Sequence, residues 1–140
     1  MIKNLSYNSK KINALLLELV GRPFSFIERL KLGGIGSNKL VIADASKEIV
    51  ELLRLDNNVN YCNIEIRKNG LIIRFRSLLE TYGLIIPYYK LVIFKGESKI
   101  YSFYKDKHYI KFLVENKSTT SFLKKITKLK TEYQNKIGLN

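Results

Sequence analysis

Asn63 to Arg76 reads N-I-E-I-R-K-N-G-L-I-I-R-F-R, and this stretch decides the fold. Asn-Gly tolerates two successive positive-φ positions, so Asn69-Gly70 predicts a two-residue type I′ hairpin. With that turn fixed, Lys68 faces Leu71, Ile66 faces Ile73 and Ile64 faces Phe75 on one side of the ribbon. Arg67 faces Ile72, Glu65 faces Arg74 and Asn63 faces Arg76 on the other. One side is mostly apolar and the other mostly charged, as expected for antiparallel strands lying over a single core.

Downstream of the hairpin the same grammar repeats. Tyr82 to Ile86 reads as a strand broken at Pro87, and Tyr89 to Lys95 as another. Gly96-Glu97 turns into Lys99 to Tyr104, and Lys105-Asp106-Lys107 turns into His108 to Val114. Short strands with regular turns predict a meander that curls into a barrel or a strongly bent sheet. Then the period changes. Phe122, Leu123, Ile126, Leu129 and Tyr133 recur at helical spacing, with Ser118, Thr119 or Thr120 as cap and Lys124, Lys125, Lys128 and Lys130 on the remaining faces.

Upstream, Ser9 caps an amphipathic helix over residues 9–20 with Ile12, Leu15, Leu16, Leu19 and Val20 on one face. Pro23 suits the first turn of a second helix, Phe24 to Leu32, whose apolar side is Phe26, Ile27 and Leu30 and which stops at Gly33. Leu40 to Ala43 reads as a strand. Residues 45–55 fit a helix capped by Asp44 or a strand, with helix preferred. The class is α+β and the expectation is one domain over 1–140: a helical arm at 1–37, mostly antiparallel strands at 38–116, and a C-terminal helix at 117–137.

The order of a meander closed by one amphipathic helix resembles the pleckstrin-homology-like barrel. G-L-I-I-R-F-R at 70–76, I-I-P-Y-Y-K-L at 85–91, Y-S-F-Y at 101–104, Y-I-K-F at 109–112 and the helix from Thr120 carry the resemblance, over about residues 60–136. The whole chain also resembles a small bacterial family, on no single motif. In phosphoinositide-binding members of the pleckstrin-homology family, the first hairpin holds a Lys, then Lys or Arg, any residue, and Arg. Lys68, Arg74 and Arg76 match that order, so the resemblance implies an anionic-ligand site there. The Asn-Gly turn is tighter than the lipid-binding loop, however, and alternation puts Lys68 on the opposite face from Arg74 and Arg76.

Charge points to the same class of partner. The net charge is +13, divided as +4 over residues 1–37, +1 over 38–80 and +8 over 81–140. Such an excess favours nucleic acid, anionic lipid or acidic protein. A compositional origin competes, because Lys, Ile, Asn and Tyr are abundant together. The single Cys62 rules out an intramolecular disulfide and gives no sign of an oxidising compartment. No apolar run is long enough for a transmembrane helix, so the expected location is the cytoplasm, including its membrane periphery.

Catalytic patterns do not emerge. Gly33-Gly34-Ile35-Gly36 follows a helix and precedes a strand, the reverse of a phosphate-cradling loop. His108 and Cys62 are the only soft donors, too few for a metal site. Neither a catalytic residue nor a cofactor or metal is expected, and the chain reads as a non-enzymatic binding module. Its partner is a protein or peptide, or an anionic lipid surface; homo-oligomers stay open. Leu15, Leu16, Leu19, Phe26 and Ile27 would anchor the arm to the sheet or to a membrane, and Tyr88 and Tyr89 beside Pro87 would touch a protein partner. Aromatics alternating with cations over Tyr101 to Phe112 support nucleic-acid binding as the alternative. A small enzyme with an unrecognised site stands third.

Overall fold

A computed structural model describes residues 1–55, 60–97 and 99–138; within the strand-rich segment 38–116, residues 56–59 and 98 lie outside that description. Eight strands form one antiparallel sheet. They are β1 (Ile2–Asn4), β2 (Leu40–Ala45), β3 (Tyr61–Ile66), β4 (Gly70–Ser77), β5 (Glu80–Pro87), β6 (Val92–Lys95), β7 (Ile100–Lys105) and β8 (His108–Leu113). Four helices accompany them: α1 (Lys10–Val20), α2 (Phe26–Leu32), α3 (Lys47–Leu53) and α4 (Lys117–Lys136). The class is therefore α+β. The strand order is β1-β5-β4-β3-β2-β8-β7-β6, so the sheet is open, with β1 and β6 at its edges, rather than a closed barrel.

Strand β2 joins the two halves. Its start, Leu40 and Val41, pairs with Cys62 and Tyr61 of β3. From Ile42 it pairs with β8: Ile42 with Phe112 and, past a bulge between Ile42 and Asp44, Asp44 with Lys111 and Ala45 with Ile110. Bulges bend a strand and increase its twist, and both halves supply one core. Ile64, Ile73, Phe75 and Ile86 from one side meet Phe103, Ile110 and Phe112 from the other, beneath Phe122, Leu123 and Ile126 of α4.

The hairpin keeps its predicted faces but not its predicted register. Ile66 pairs with Leu71, Ile64 with Ile73 and Cys62 with Phe75, and the Arg67 N–H donates to the Gly70 carbonyl at 2.8 Å. The two-residue turn is Lys68-Asn69, neither of which has positive φ, and Gly70 already belongs to β4. Tertiary contacts set this choice. The Asn69 N–H donates to the Val20 carbonyl (2.8 Å) and the Asn69 carbonyl accepts from the Tyr88 N–H (2.9 Å). The pairing shifts by two residues, so alternation survives and Ile64, Ile66, Leu71, Ile73 and Phe75 stay buried.

Several boundaries move for local reasons. Ser25, not Pro23, opens α2 through a capping box with Glu28. Residues 47–53 are helical behind Ser46, while Asp44 stays in β2. Asn116 caps α4, its side chain accepting from the Thr119 N–H. Tyr88–Lys90 form a 3-10 turn rather than strand. Strand β1 is unanticipated; its three residues pair with Leu84, Gly83 and Tyr82.

Helix α1 lies on the other face of the sheet, where Leu16 and Val20 pack on Ile72 and Ile85. The Gly33–Ser37 loop then runs beside β3: Ile66 N–H donates to the Ile35 carbonyl (2.8 Å) and Ser37 N–H to the Ile64 carbonyl (2.9 Å). Gly33 is the left-handed C-cap of α2.

Candidate functional site

The predicted arm divides at Gly21. Leu16 is buried, and Leu15 and Leu19 are half-buried, so α1 is a packing element. Helix α2 behaves otherwise: it buries no residue. Phe26, Ile27 and Leu30 are 69%, 64% and 67% exposed. At 3.6 residues per turn these three fall within one arc of about 100°. Arg29 and Lys31 flank that arc on its two sides, and Glu28 occupies the back.

Glu28 is what fixes this orientation. Its carboxylate pairs with Arg22 at 2.9 Å and with Lys68 at 3.2 Å, and it accepts the Ser25 N–H at 3.0 Å. The Ser25 N–H, then Arg22 and Lys68, hold this carboxyl down to about 2, so the clamp stays charged at any physiological pH. The loop after α2 is tied as well, by Lys125 Nζ donating to the Gly34 carbonyl at 3.0 Å. A short helix is thereby tethered by its polar side with its apolar side turned outward.

The cations expected to converge on an anion do not meet as one set. Lys68 is occupied at the hairpin tip by Glu28. Arg74 pairs with Glu65, and Arg76 is exposed at the far end of β4. Along α4, Lys124 and Lys128 are exposed, Lys125 is tied to the loop, and burial lowers the half-buried Lys130 ammonium.

The aromatic candidates also separate. Tyr88 is fully buried, its hydroxyl donating to the Arg67 carbonyl at 2.9 Å and its ring against Tyr133. It is a core residue, not a contact residue; Tyr89 is exposed. Phe103 and Phe112 stack edge to face inside the core, so the interleaved stretch 101–112 offers no continuous stacking platform.

His108 Nε2 lies 3.6 Å from Glu48. Burial, followed by neighbouring positive charge, lowers its pKa, so near neutral pH it is an uncharged neighbour of that carboxylate. Among the described residues no cluster of three His, Cys, Asp or Glu is placed to hold a metal. Burial pushes the Cys62 thiol up to about 12. Native protein is therefore expected to react with a thiol reagent far more slowly than denatured protein, by about a hundredfold; equal rates would contradict the packing of β3.

No protein-family model, curated protein or solved structure matches this chain. No helix among the described residues is long and apolar enough to cross a membrane.

Proposed function

We propose that this protein is a non-enzymatic, cytoplasmic binding module that seats reversibly on anionic membrane surfaces through α2. The observation that carries the reading is the outward arc of Phe26, Ile27 and Leu30 with Arg29 and Lys31 on either flank. That is the distribution an interfacial helix needs: apolar groups enter the headgroup boundary while cations meet lipid phosphates. Three such side chains supply roughly 4 kcal/mol, and two cations about 1 kcal/mol each near an anionic surface. A total near 6 kcal/mol describes transient adsorption rather than permanent anchoring. The likeness to pleckstrin-homology-like folds belongs to the same proposal, supported by the run of meander strands closed by α4.

Co-sedimentation with anionic and neutral liposomes tests it. The full chain is expected on anionic vesicles only, and Phe26→Ser is expected to weaken partitioning about tenfold with unchanged melting temperature. Equal partitioning of the variant, or no binding by the full chain, would sink the proposal. A second reading has its own observation. Edge strand β6 exposes Val92 and Phe94 beside an unpaired ladder, which is the feature needed to accept an extended peptide from a protein partner.

A further inference from the structure

Helix α1 packs on β4 and β5 and covers only part of the outer face of the sheet. Ile72 sits beneath it, near the turn at Lys68-Asn69, but Asn63, Arg74 and Arg76 lie farther along the ribbon. There the surface forms an open cleft of about 630 Å³, within the size range of small-molecule sites. Lys39, Tyr61, Asn63, Arg74, Arg76 and Thr81 are among its lining residues.

The composition of that lining is one-sided. Among the described residues it contains three cations and no carboxylate. Arg74 is partly balanced from outside by Glu65; Lys39 and Arg76 form no ion pair among the described residues. Lys39 Nζ stands 5.6 Å from the centroid of the Tyr61 ring, and that ring is partly exposed. At the rim, Leu78 holds a left-handed φ of 56°, a conformation uncommon for leucine. It turns the chain through Leu79, which is 88% exposed.

Cations gathered with no acid among the described lining residues raise the local potential, and an arginine fork suits phosphate oxygens. Neutral donors at Asn63 and Thr81 add hydrogen bonds, and Tyr61 offers a flat apolar wall. We propose that this cleft binds a phosphorylated small molecule of about nucleotide size, with phosphate at Lys39 and Arg76 and its ring on Tyr61. The same chemistry occurs in a free metabolite and in a lipid headgroup, and the exposed Leu78-Leu79 tip gives the second source a means of insertion. This site does not rest on α2, which joins the sheet at the opposite end of β4.

Titration of the full chain, followed by NMR shifts, with adenosine monophosphate and with soluble inositol trisphosphate tests the site. At least one probe is expected to saturate below about 1 mM. Arg76→Gln and Lys39→Gln should each weaken it about fivefold or more, while Lys128→Gln, the same charge change on α4, should leave it within about twofold. Tighter binding of the nucleotide identifies a free ligand. Tighter binding of inositol trisphosphate, with Leu79→Ser weakening attachment to vesicles bearing that headgroup but not the soluble probe, identifies a lipid. Phe26→Ser should leave both soluble probes unaffected, so failure here is separable from failure of the α2 proposal.

Three results would overturn the site. Neither probe saturates by about 5 mM; or Lys128→Gln weakens binding as much as Arg76→Gln, which means diffuse charge. The third is a single-stranded oligonucleotide binding more than about a hundredfold tighter than both probes, which makes the cleft part of a nucleic-acid track.

Discussion

Gly70→Ala is expected to lower stability by about 4 kcal/mol and the melting temperature by roughly 12 °C for a chain of this size. A Cβ at Gly70 would stand 2.4 Å from the Ile86 carbonyl oxygen, 2.6 Å from Val20 Cγ1 and 2.8 Å from Pro87 Cα. Two of these three atoms are backbone of β5 and its end, so no rotamer change relieves the clash. Either β4 parts from β5 where Gly70 pairs with Pro87, or α1 lifts and Val20 leaves the core. Gly70 is required by close approach and not by its φ, which is not positive.

Two other glycines calibrate the result. At Gly83 the nearest atom is Leu5 Cδ1 at 2.4 Å, the far end of a flexible side chain, followed by Ile72 Cγ2 at 3.1 Å; Gly83→Ala should cost about 1–2 kcal/mol. Nothing lies within 4 Å of a Cβ at Gly36, and Gly36→Ala should stay within about 0.5 kcal/mol of the parent. Thermal melts of the three variants check the order. A Gly70→Ala protein as stable as Gly36→Ala would refute the β4–β5 register and the seat of α1.

Glu65→Gln is the second large effect, an expected loss of about 3 kcal/mol at neutral pH. Arg67 is almost fully buried, its Nε donating to Glu65 at 2.6 Å and its Nη1 to the Gly21 carbonyl at 3.2 Å. Glu65 also takes Arg74, so one carboxylate serves two guanidinium groups. Replacing it by an amide leaves the buried Arg67 charge without its counterion, and that uncompensated charge is the expensive part. Relieving it should recover stability, so Glu65→Gln combined with Arg67→Met is expected to lose less than Glu65→Gln alone.

The pH profile carries the same signature. Burial opposes ionisation of Glu65, but hydrogen bonds from Arg74 and Arg67 outweigh it and hold the carboxyl below its usual range. A carboxyl depressed in the folded state contributes stability that is fully present above its unfolded pKa, about 4.3. That contribution is lost as pH falls through the lower folded value. The parent and Glu65→Gln curves from urea unfolding should therefore run parallel from neutral pH to about 5 and converge below about 4. A constant gap down to acid pH would contradict the ionic role of Glu65.

What the sequence made legible follows from how local each signal is. Ser9 capping α1, Gly33 ending α2 and the alternation of Ile64, Ile66, Ile73 and Phe75 depend on neighbours a few residues away, and each appears as read. The turn at Lys68-Asn69 depends on Val20 and Tyr88, which sequence proximity does not connect to it. Strand β1 is too short to carry a pattern and forms because β5 offers an edge. The outward set of Phe26, Ile27 and Leu30 looks in sequence like any core-facing stripe; only the Glu28 ties to Arg22 and Lys68 decide which side faces water. Arg74 and Arg76 could be placed on one face by alternation alone. Lys39 just before β2, Tyr61 in β3 and Thr81 in β5 join them only in the folded sheet, and no spacing rule unites those positions.

The divided pairing of β2 also sets an order of assembly. The hairpins β3–β4–β5 and β6–β7–β8 each close through short turns, so each can form from contiguous chain with little loop entropy. Strand β2 cannot finish with them, because Ile42 must wait for Phe112. During synthesis, when a chain emerges from its N-terminus, the start of β2 finds β3 early while its second half remains an open edge until β8 arrives. The last pairing to close the sheet is then the zipping of β8 onto β2, and a chain halted before that point displays Ile42 to Ala45 to any chaperone that recognises an unpaired strand.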